Sequence, residues 1–155
     1  MSRTSLVALH GISGAAALLT IATFWVSALT AEFVLATPGV VAVRTAILYA
    51  LPVLVIAMMA AGATGTRLAG RSKAPVIRAK RRRTIITAAN GLLILVPSAV
   101  FLGLRARAGL FDATFATVQI VELAAGALNI ALLSLNMKAG MAMRARRIRA
   151  GKTTA

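Results

Sequence analysis

Four long apolar stretches constrain the fold of this 155-residue chain more than any other feature of its sequence. They cover residues 6–30, 40–62, 84–104 and 113–137. At 1.5 Å per residue, an α-helix of each length crosses a hydrocarbon core about 30 Å thick. Hydrophobic residues make up 59% of the chain, more than a soluble domain usually carries. The sequence therefore predicts one all-α domain, an integral membrane four-helix bundle built from two hairpins.

The basic residues predict how the bundle is oriented. Of the 18 Lys and Arg residues, eight fall within residues 67–83 and six within residues 138–155, and Arg3 precedes the first apolar stretch. Only three cations lie on the opposite side of the membrane: Arg44, Arg105 and Arg107. Because cytoplasmic segments of membrane proteins are enriched in Lys and Arg, we expect both termini in the cytoplasm. We also expect residues 67–83 to form a basic cytoplasmic loop, residues 138–155 a basic cytoplasmic tail, and the protein to reside in the inner membrane.

A net charge of +15 raises the alternatives of a nucleic acid or an anionic membrane surface as the partner. The charges are concentrated in two blocks directly beside apolar stretches, which favours lipid headgroups over nucleic acid. Each Lys or Arg near an anionic leaflet contributes about 1 kcal/mol to that attraction. The residues expected to contact anionic lipid are Arg78, Lys80, Arg81, Arg82, Arg83, Arg144, Arg146 and Arg147.

Polar residues within the apolar stretches are the candidates for chemistry. In the last stretch, successive spacings of three, four, three and seven place these residues on one helical face: Gln119, Glu122, Gly126, Asn129 and Asn136. The four polar members of this face, Gln119, Glu122, Asn129 and Asn136, form a predicted intramembrane polar cluster of six with His10 and Asn90. We expect His10, Asn90 and Asn129 to line one half-cavity if their helices turn these faces together. A charged carboxyl at mid-membrane costs about 2.5–3.5 kcal/mol, so Glu122 should face protein or water, or stay protonated. We favour interhelical hydrogen bonding for this face over a proton or cation site.

Five other residues carry a local expectation. Arg44 lies one turn inside the second stretch and should extend its side chain to the headgroups. Trp25, near the far end of the first stretch, should lie at the membrane interface. Pro52 should kink the second helix unless neighbouring groups satisfy the freed carbonyl. Met58 and Met59 point about 100° apart on a helix, which favours packing over metal binding.

The first apolar stretch has a pattern of its own, LxALHGxxxxxxLLTxxxFW. Its residues are Leu6, Ala8, Leu9, His10, Gly11, Leu18, Leu19, Thr20, Phe24 and Trp25. The pattern resembles the first helix of small four-span membrane families related to the protoporphyrinogen-oxidase and copper-resistance membrane proteins. The resemblance covers one helix and implies His10 as an axial ligand of haem b. His10 is the only histidine, so the second ligand would come from a Met, another protomer or water.

Three hypotheses about function follow. The favoured one is a non-enzymatic accessory or oligomeric subunit, either a homo-oligomer or part of a larger membrane complex. The alternatives are a small proton-coupled transporter that uses the polar face of the last helix, and a haem-binding redox protein that uses His10. No Walker loop, HExxH motif or Ser-His-Asp set occurs, and the chain has no cysteine, so we predict no catalytic residue and no metal site.

Overall fold

The computed structural model describes residues 2–70 and 74–153, without the side chains of residues 146–148 and 150–153. Across these ranges the chain is helical except for short turns, and it contains no strand. The elements are α1 (Arg3–Val34), α2 (Thr37–Ala69), α3 (Pro75–Asn90), a π-helical segment (Gly91–Leu95), α4 (Val96–Arg107) and α5 (Ala113–Thr153). Because α3, the π segment and α4 are continuous, the described chain has four helical rods long and apolar enough to cross a membrane. The prediction of an all-α, four-span architecture is confirmed.

Among the described residues, much of the two basic stretches predicted as a cytoplasmic loop and tail is helical. α2 continues through Ala69 and α3 begins at Pro75, so only residues 70–74 separate these two helices. α5 likewise continues to Thr153, well beyond the predicted end of its span. Ala, Lys and Arg favour helix, and proline is well suited to a first helical position such as that of Pro75. We call this end of the bundle the basic end; the end with the turns at residues 35–36 and 108–112 is the turn end.

The core follows the bundle axis as three apolar clusters. Nearest the basic end are Ala17, Ile21, Leu54, Leu95 and Ala125; the second contains Ala28, Ile47, Leu51 and Ala99; and nearest the turn end are Leu102, Ala106 and Phe115. α1 packs along α2 and also along α5, while α2 contacts α4 and α3 contacts α5. Many large apolar side chains face outward, which suits contact with lipid chains. Alanine is frequent at the buried positions and allows close helix packing.

The two intramembrane prolines have different surroundings. α2 continues through Pro52 without interruption, and the ring lies on the exposed side of the helix. Pro97 is the second residue after the π segment, whose end is closed by a hydrogen bond from the Val96 N–H to the Gly91 carbonyl. A wider π turn and a proline are both recognised causes of helix distortion, and they coincide here. This distortion begins immediately after Asn90, a residue of the predicted polar cluster.

Candidate functional site

The centre of the candidate site is an ion pair between α2 and α5. Arg44 donates hydrogen bonds through Nη1 to Glu122 Oε2 and through Nη2 to Gln119 Oε1, the latter at 2.9 Å. The Arg44 side chain is 1% exposed, and its guanidinium lies 5.9 Å from the centre of the Phe115 ring. The expectation that Arg44 extends to the headgroups is wrong, because its side chain faces α5 within the bundle. Arg44 is therefore a member of the site that sequence reasoning missed.

The ion pair accounts for how a carboxylate is accommodated in the bundle. A guanidinium stays charged at every accessible pH, so Arg44 supplies a permanent counter-charge for Glu122. Charge-assisted bonds of this kind are stronger than those between neutral groups. One buried atom is left unsatisfied, since Arg44 Nε has no hydrogen-bond partner. The sequence signal for this pair was the presence of two lone, opposite charges in apolar stretches, 78 residues apart.

A small cavity lies on the other side of Glu122. Its volume is about 40 Å³, and apolar groups including Ile21, Leu51 and Leu95 form most of its wall. A water molecule needs roughly 10–15 Å³ by this measure and at least two polar partners. The volume suffices for about three waters on that measure, and Glu122 is the one ionisable group in the lining. The carboxylate thus lies between a guanidinium and an apolar cavity.

Trp25 connects α1 to α5 beside this cavity. Its indole Nε1–H donates to the Leu123 carbonyl at 2.9 Å. The ring lies over Gly126, where a Cβ would approach Trp25 Cδ1 to 2.9 Å. Only glycine fits at this position without a shift of the indole. Trp25, which was predicted to lie at the membrane interface, thus makes a contact between helices, and Gly126 provides the space for it.

The asparagines form separate contacts further along α5. Asn90 Nδ2 donates to Asn129 Oδ1 and to the Ala125 carbonyl, both at 2.8 Å, while Asn129 Nδ2 donates to the Thr87 carbonyl at 3.3 Å. Asn129 is fully buried. Two turns nearer the basic end, Asn136 Nδ2 donates to Thr84 Oγ1 at 3.1 Å. These bonds join α3 to α5.

His10 lies apart from the rest of the predicted cluster. Its Nδ1 is 3.0 Å from the Ala61 carbonyl, which can only accept, so Nδ1 carries the proton and Nε2 of the neutral ring is left as an acceptor. Thr64 Oγ1 is 3.2 Å from the same nitrogen, and the ring lies against Gly65. His10 lines neither the cavity at Glu122 nor the one at the turn end. Neither of these two cavities is lined by His10, Asn90 and Asn129 together, the three residues predicted to share a half-cavity.

The sulfur-containing and acidic residues give no support for a metal centre. Met58 packs against Gly91, with its methyl group 3.2 Å from a Cβ placed there, whereas Met59 is exposed. Within the described ranges, no group of three or more His, Cys, Asp or Glu side chains could hold a metal ion. The two methionines point in different directions, as their spacing predicted.

At the turn end, a wider cavity of about 270 Å³ lies between the two hairpins. Glu32 and Asp112 line it together with Phe115, the residue whose ring is next to Arg44. Asp112 accepts the Phe115 N–H at 3.0 Å and an ion-pair hydrogen bond from Arg105. The first of these bonds, and then the Arg105 charge, hold the pKa of Asp112 below its usual value. Gly109, with φ +71°, makes the preceding turn in a conformation that glycine favours.

The residues expected to contact lipid lie at the basic end but differ in exposure. Arg78, Arg81, Arg82 and Arg144 are exposed, Lys80 and Arg83 are half-buried, and the side chains of Arg146 and Arg147 lie outside the described residues. Arg71 and Lys73 of the basic stretch also lie outside them. The basic end therefore has both solvated cations and cations drawn toward neighbouring helices.

Comparisons with protein-family models, with curated proteins and with solved structures gave no match to this chain. The resemblance of its first helix to haem-binding four-span families therefore stays a prediction. Function has to be argued from the arrangement of the side chains.

Proposed function

We propose that this chain is a multi-pass protein of the cytoplasmic membrane that acts as a non-enzymatic accessory or oligomeric subunit. One observation carries the proposal: all six residues of the predicted polar cluster are hydrogen-bonded to another helix. These bonds join Arg44 to Glu122 and Gln119, Asn90 to Asn129, Asn136 to Thr84, and His10 to Ala61. Such bonds contribute about 0.6–2 kcal/mol each to helix association within a bilayer.

The distribution of these bonds favours structure over chemistry. They tie α2 to α5, α3 to α5 and α1 to α2, so the polar contacts are spread over three pairs of helices. A catalytic or transport site instead needs several polar groups that converge on one accessible space. Here Glu122 is the one residue of the predicted polar cluster in the lining of the cavity beside it. The surfaces left for interaction are the exposed apolar flanks and the basic end.

The unequal distribution of charged residues between the two ends of the bundle supports one orientation in the membrane. Fifteen of the 18 basic residues belong to the basic end, whereas two of the three acidic residues, Glu32 and Asp112, line the cavity at the turn end. We place the basic end, and with it both termini, in the cytoplasm against the anionic leaflet. The 41 residues of α5 extend about 60 Å, roughly twice the hydrocarbon thickness. Its basic half therefore projects beyond the membrane.

The orientation is tested with reporter fusions in cells. Fusions at Lys73 and after Lys152 should report the cytoplasm, and fusions at Pro38 and Gly109 the outside. A variant with Arg81, Arg82 and Arg83 neutralised should lose orientation far more than one with Arg105 and Arg107 neutralised, because the bias resides in the basic end. An external signal at Lys73 contradicts this topology.

The subunit role is tested by the size of the particle. In mild detergent, light scattering or single-molecule photobleaching of the full chain should count more than one copy per particle, or the chain should co-purify at fixed stoichiometry with other membrane subunits. A strictly monomeric protein without a stoichiometric partner in native membranes contradicts the proposal.

Proton-coupled transport is the second candidate, and one observation favours it. Glu122 lines the central cavity, Glu32 and Asp112 line the outer one, and the Phe115 ring belongs to the outer lining while contacting Arg44. A carboxylate between two cavities is an arrangement that proton carriers use. Proteoliposomes with an internal pH-sensitive dye separate the two candidates. A proton flux that Glu122→Gln abolishes and the exposed control Tyr49→Phe preserves supports transport, whereas flux at the level of empty vesicles supports the subunit role.

Haem binding at His10 has less geometric support. The bond from Nδ1 to the Ala61 carbonyl leaves Nε2 free, as an axial ligand requires. However, the ring packs between α1 and α2 against Gly65, and His10 lines neither cavity. The residues around His10 therefore do not fit a macrocycle in this arrangement. We derive no redox function from this residue.

A further inference from the structure

Tyr49 on α2 presents an unpaired hydroxyl group at the depth of the lipid chains. Its side chain is 70% exposed, and no described residue forms a hydrogen bond with the hydroxyl. Tyr49 lies nine residues inside the apolar stretch that begins at Val40, a depth of about 14 Å. This is close to the middle of a hydrocarbon core about 30 Å thick, well inside the interfaces where tyrosine is enriched. A hydroxyl without a partner at this depth is costly.

Tyr49 does not satisfy this hydroxyl within its own helix. A Ser or Thr hydroxyl can bond to a carbonyl of the preceding turn, as Thr66 does to the Ala63 carbonyl at 2.9 Å. The rigid aromatic ring of a tyrosine instead holds its hydroxyl away from the backbone of its own turn. Since no described part of the chain supplies a partner, this hydrogen bond is left for another molecule.

Two further polar groups with unused hydrogen-bonding capacity lie within one turn of Tyr49. Thr45, four residues nearer the turn end, is half-buried, and its hydroxyl has no partner among the described residues. Pro52 lies on the exposed side of α2 and has no N–H, so the Leu48 carbonyl lacks the donor that a regular helix provides. In membrane proteins, neighbouring helices and hydroxyl groups satisfy carbonyls freed in this way. This part of α2 therefore calls for a polar neighbour, which lipid chains are not.

A second copy of this chain has the complementary groups. Two copies with the same orientation in a membrane pair about a two-fold axis along the membrane normal, so the same patch of α2 meets itself at the same depth. Thr45 and Tyr49 are four residues apart and share one face of the helix. Each hydroxyl both donates and accepts. Tyr49 of each copy can therefore bond to Thr45 of the partner subunit, which gives two equivalent hydrogen bonds across the axis.

The shape of this face also allows two copies to approach closely. Ala42 and Ala46 are exposed, and small residues four apart let the backbones of two helices come together. Toward the basic end, the side chains of Val53 and Ile56 are 58% and 66% exposed. Apolar exposure alone would suit lipid chains equally well. The two hydroxyl groups between these small and large residues are what distinguish this face.

We propose that two copies of this chain pair through this face of α2, with the Tyr49 hydroxyl of each copy bonded to the Thr45 hydroxyl of the partner subunit. This inference rests on the proposed role as an oligomeric subunit, and it names the partner and the surface. The cavity beside Glu122 is lined by the opposite side of α2, at Ile47, Leu51 and Leu54. Pairing through the Tyr49 face therefore leaves that cavity within each copy unchanged.

Cysteine cross-linking of the full chain in native membranes tests the surface. The chain has no cysteine of its own, so one introduced thiol per copy reports a contact between copies. Oxidation with copper phenanthroline should convert Ile56→Cys into a disulfide-linked dimer. The matched controls Leu19→Cys and Leu93→Cys, which replace exposed residues of α1 and the π segment at the level of the same core cluster, should stay monomeric. Cross-linking at a control position without cross-linking at Ile56 overturns this pairing but leaves an oligomeric subunit, whereas a strictly monomeric chain overturns the pairing and leaves only a subunit of a larger complex.

Single-molecule photobleaching in lipid vesicles, over a range of protein-to-lipid ratios, tests the hydroxyl groups. Tyr49→Phe keeps the ring and should weaken pairing about 10–100-fold, the factor corresponding to two lost interhelical hydrogen bonds. Thr45→Val should have a similar effect, and the double variant should be no weaker because both hydroxyls belong to the same bond. The matched control Thr23→Val removes an exposed hydroxyl from α1 and should change pairing by about twofold or less. Equal effects of Tyr49→Phe and Thr23→Val overturn the proposal.

Discussion

Because Arg44 and Glu122 form an ion pair, Glu122→Gln and Arg44→Met should lower the free energy of unfolding by different amounts. Glu122→Gln leaves a guanidinium that cannot lose its proton inside the bundle, where Arg44 is 1% exposed. Removing one partner of a buried pair costs about 3–5 kcal/mol of unfolding free energy. Arg44→Met instead leaves a carboxyl group that can take up a proton. Its cost should be smaller, about 1–3 kcal/mol for an unsatisfied neutral group.

The double substitution Arg44→Met with Glu122→Gln removes both charges. Replacement of a whole buried ion pair by neutral groups is often close to energetically neutral. The double variant should therefore be more stable than Glu122→Gln alone, with a coupling free energy of at least about 2 kcal/mol in the double-mutant cycle. Lower pH should restore part of the stability of Arg44→Met and none of that of Glu122→Gln.

The assay is reversible unfolding in mixed micelles, followed by the fluorescence of Trp25, the only tryptophan of the chain. Because its indole donates to the Leu123 carbonyl beside Glu122, its emission reports the contact between α1 and α5. The control is Arg105→Met, which breaks the exposed pair with Asp112 and should have a much smaller effect. Additive single effects below about 1 kcal/mol would refute a structural ion pair. That result would instead fit a neutral Glu122 that forms only an interhelical hydrogen bond.

Three further predictions concern other contacts of the bundle. Gly126→Ala should displace Trp25, since a Cβ at position 126 would lie 2.9 Å from the indole. The expected result is a shifted emission maximum and lower thermal stability. The control is Gly62→Ala, because a Cβ at position 62 has no neighbouring atom within 4 Å. His10→Ala should lower the free energy of unfolding by about 1–2 kcal/mol, because the hydrogen bond to the Ala61 carbonyl is lost, and should leave the absorption spectrum unchanged. A Soret band in the wild type that this variant loses would instead establish a haem ligand. The lowered pKa of Asp112 means that its cap stabilises α5 above the ordinary carboxyl pKa and is lost as pH falls through the lowered value. Asp112→Asn, which can cap without titrating, should remove that part of the acid sensitivity of unfolding.

The sequence by itself determined the features that depend on local composition. Apolar stretches of sufficient length predict spanning helices whatever their neighbours are, and four such helices are present. Helical periodicity also identified the polar face of α5, because residues three, four and seven apart share a face in any α-helix. The same geometry predicts that Met58 and Met59 point in different directions, and Met58 packs against Gly91 whereas Met59 is exposed. Helix ends were less predictable, since α5 continues to Thr153 where apolarity alone ended the span near Met137.

Only the tertiary structure decided which residues meet. The partner of Glu122 is 78 positions away on a helix whose rotation depends on the packing of the whole bundle. The expectation for Arg44 used only its distance from the end of the second apolar stretch. That distance does not determine whether the side chain faces lipid or a neighbouring helix. The same reason explains Trp25, whose position depends on the space at Gly126, and His10, which bonds to α2 instead of joining the asparagines. Length and periodicity are properties of one segment, whereas the contacts of a site are properties of pairs of helices brought together by folding.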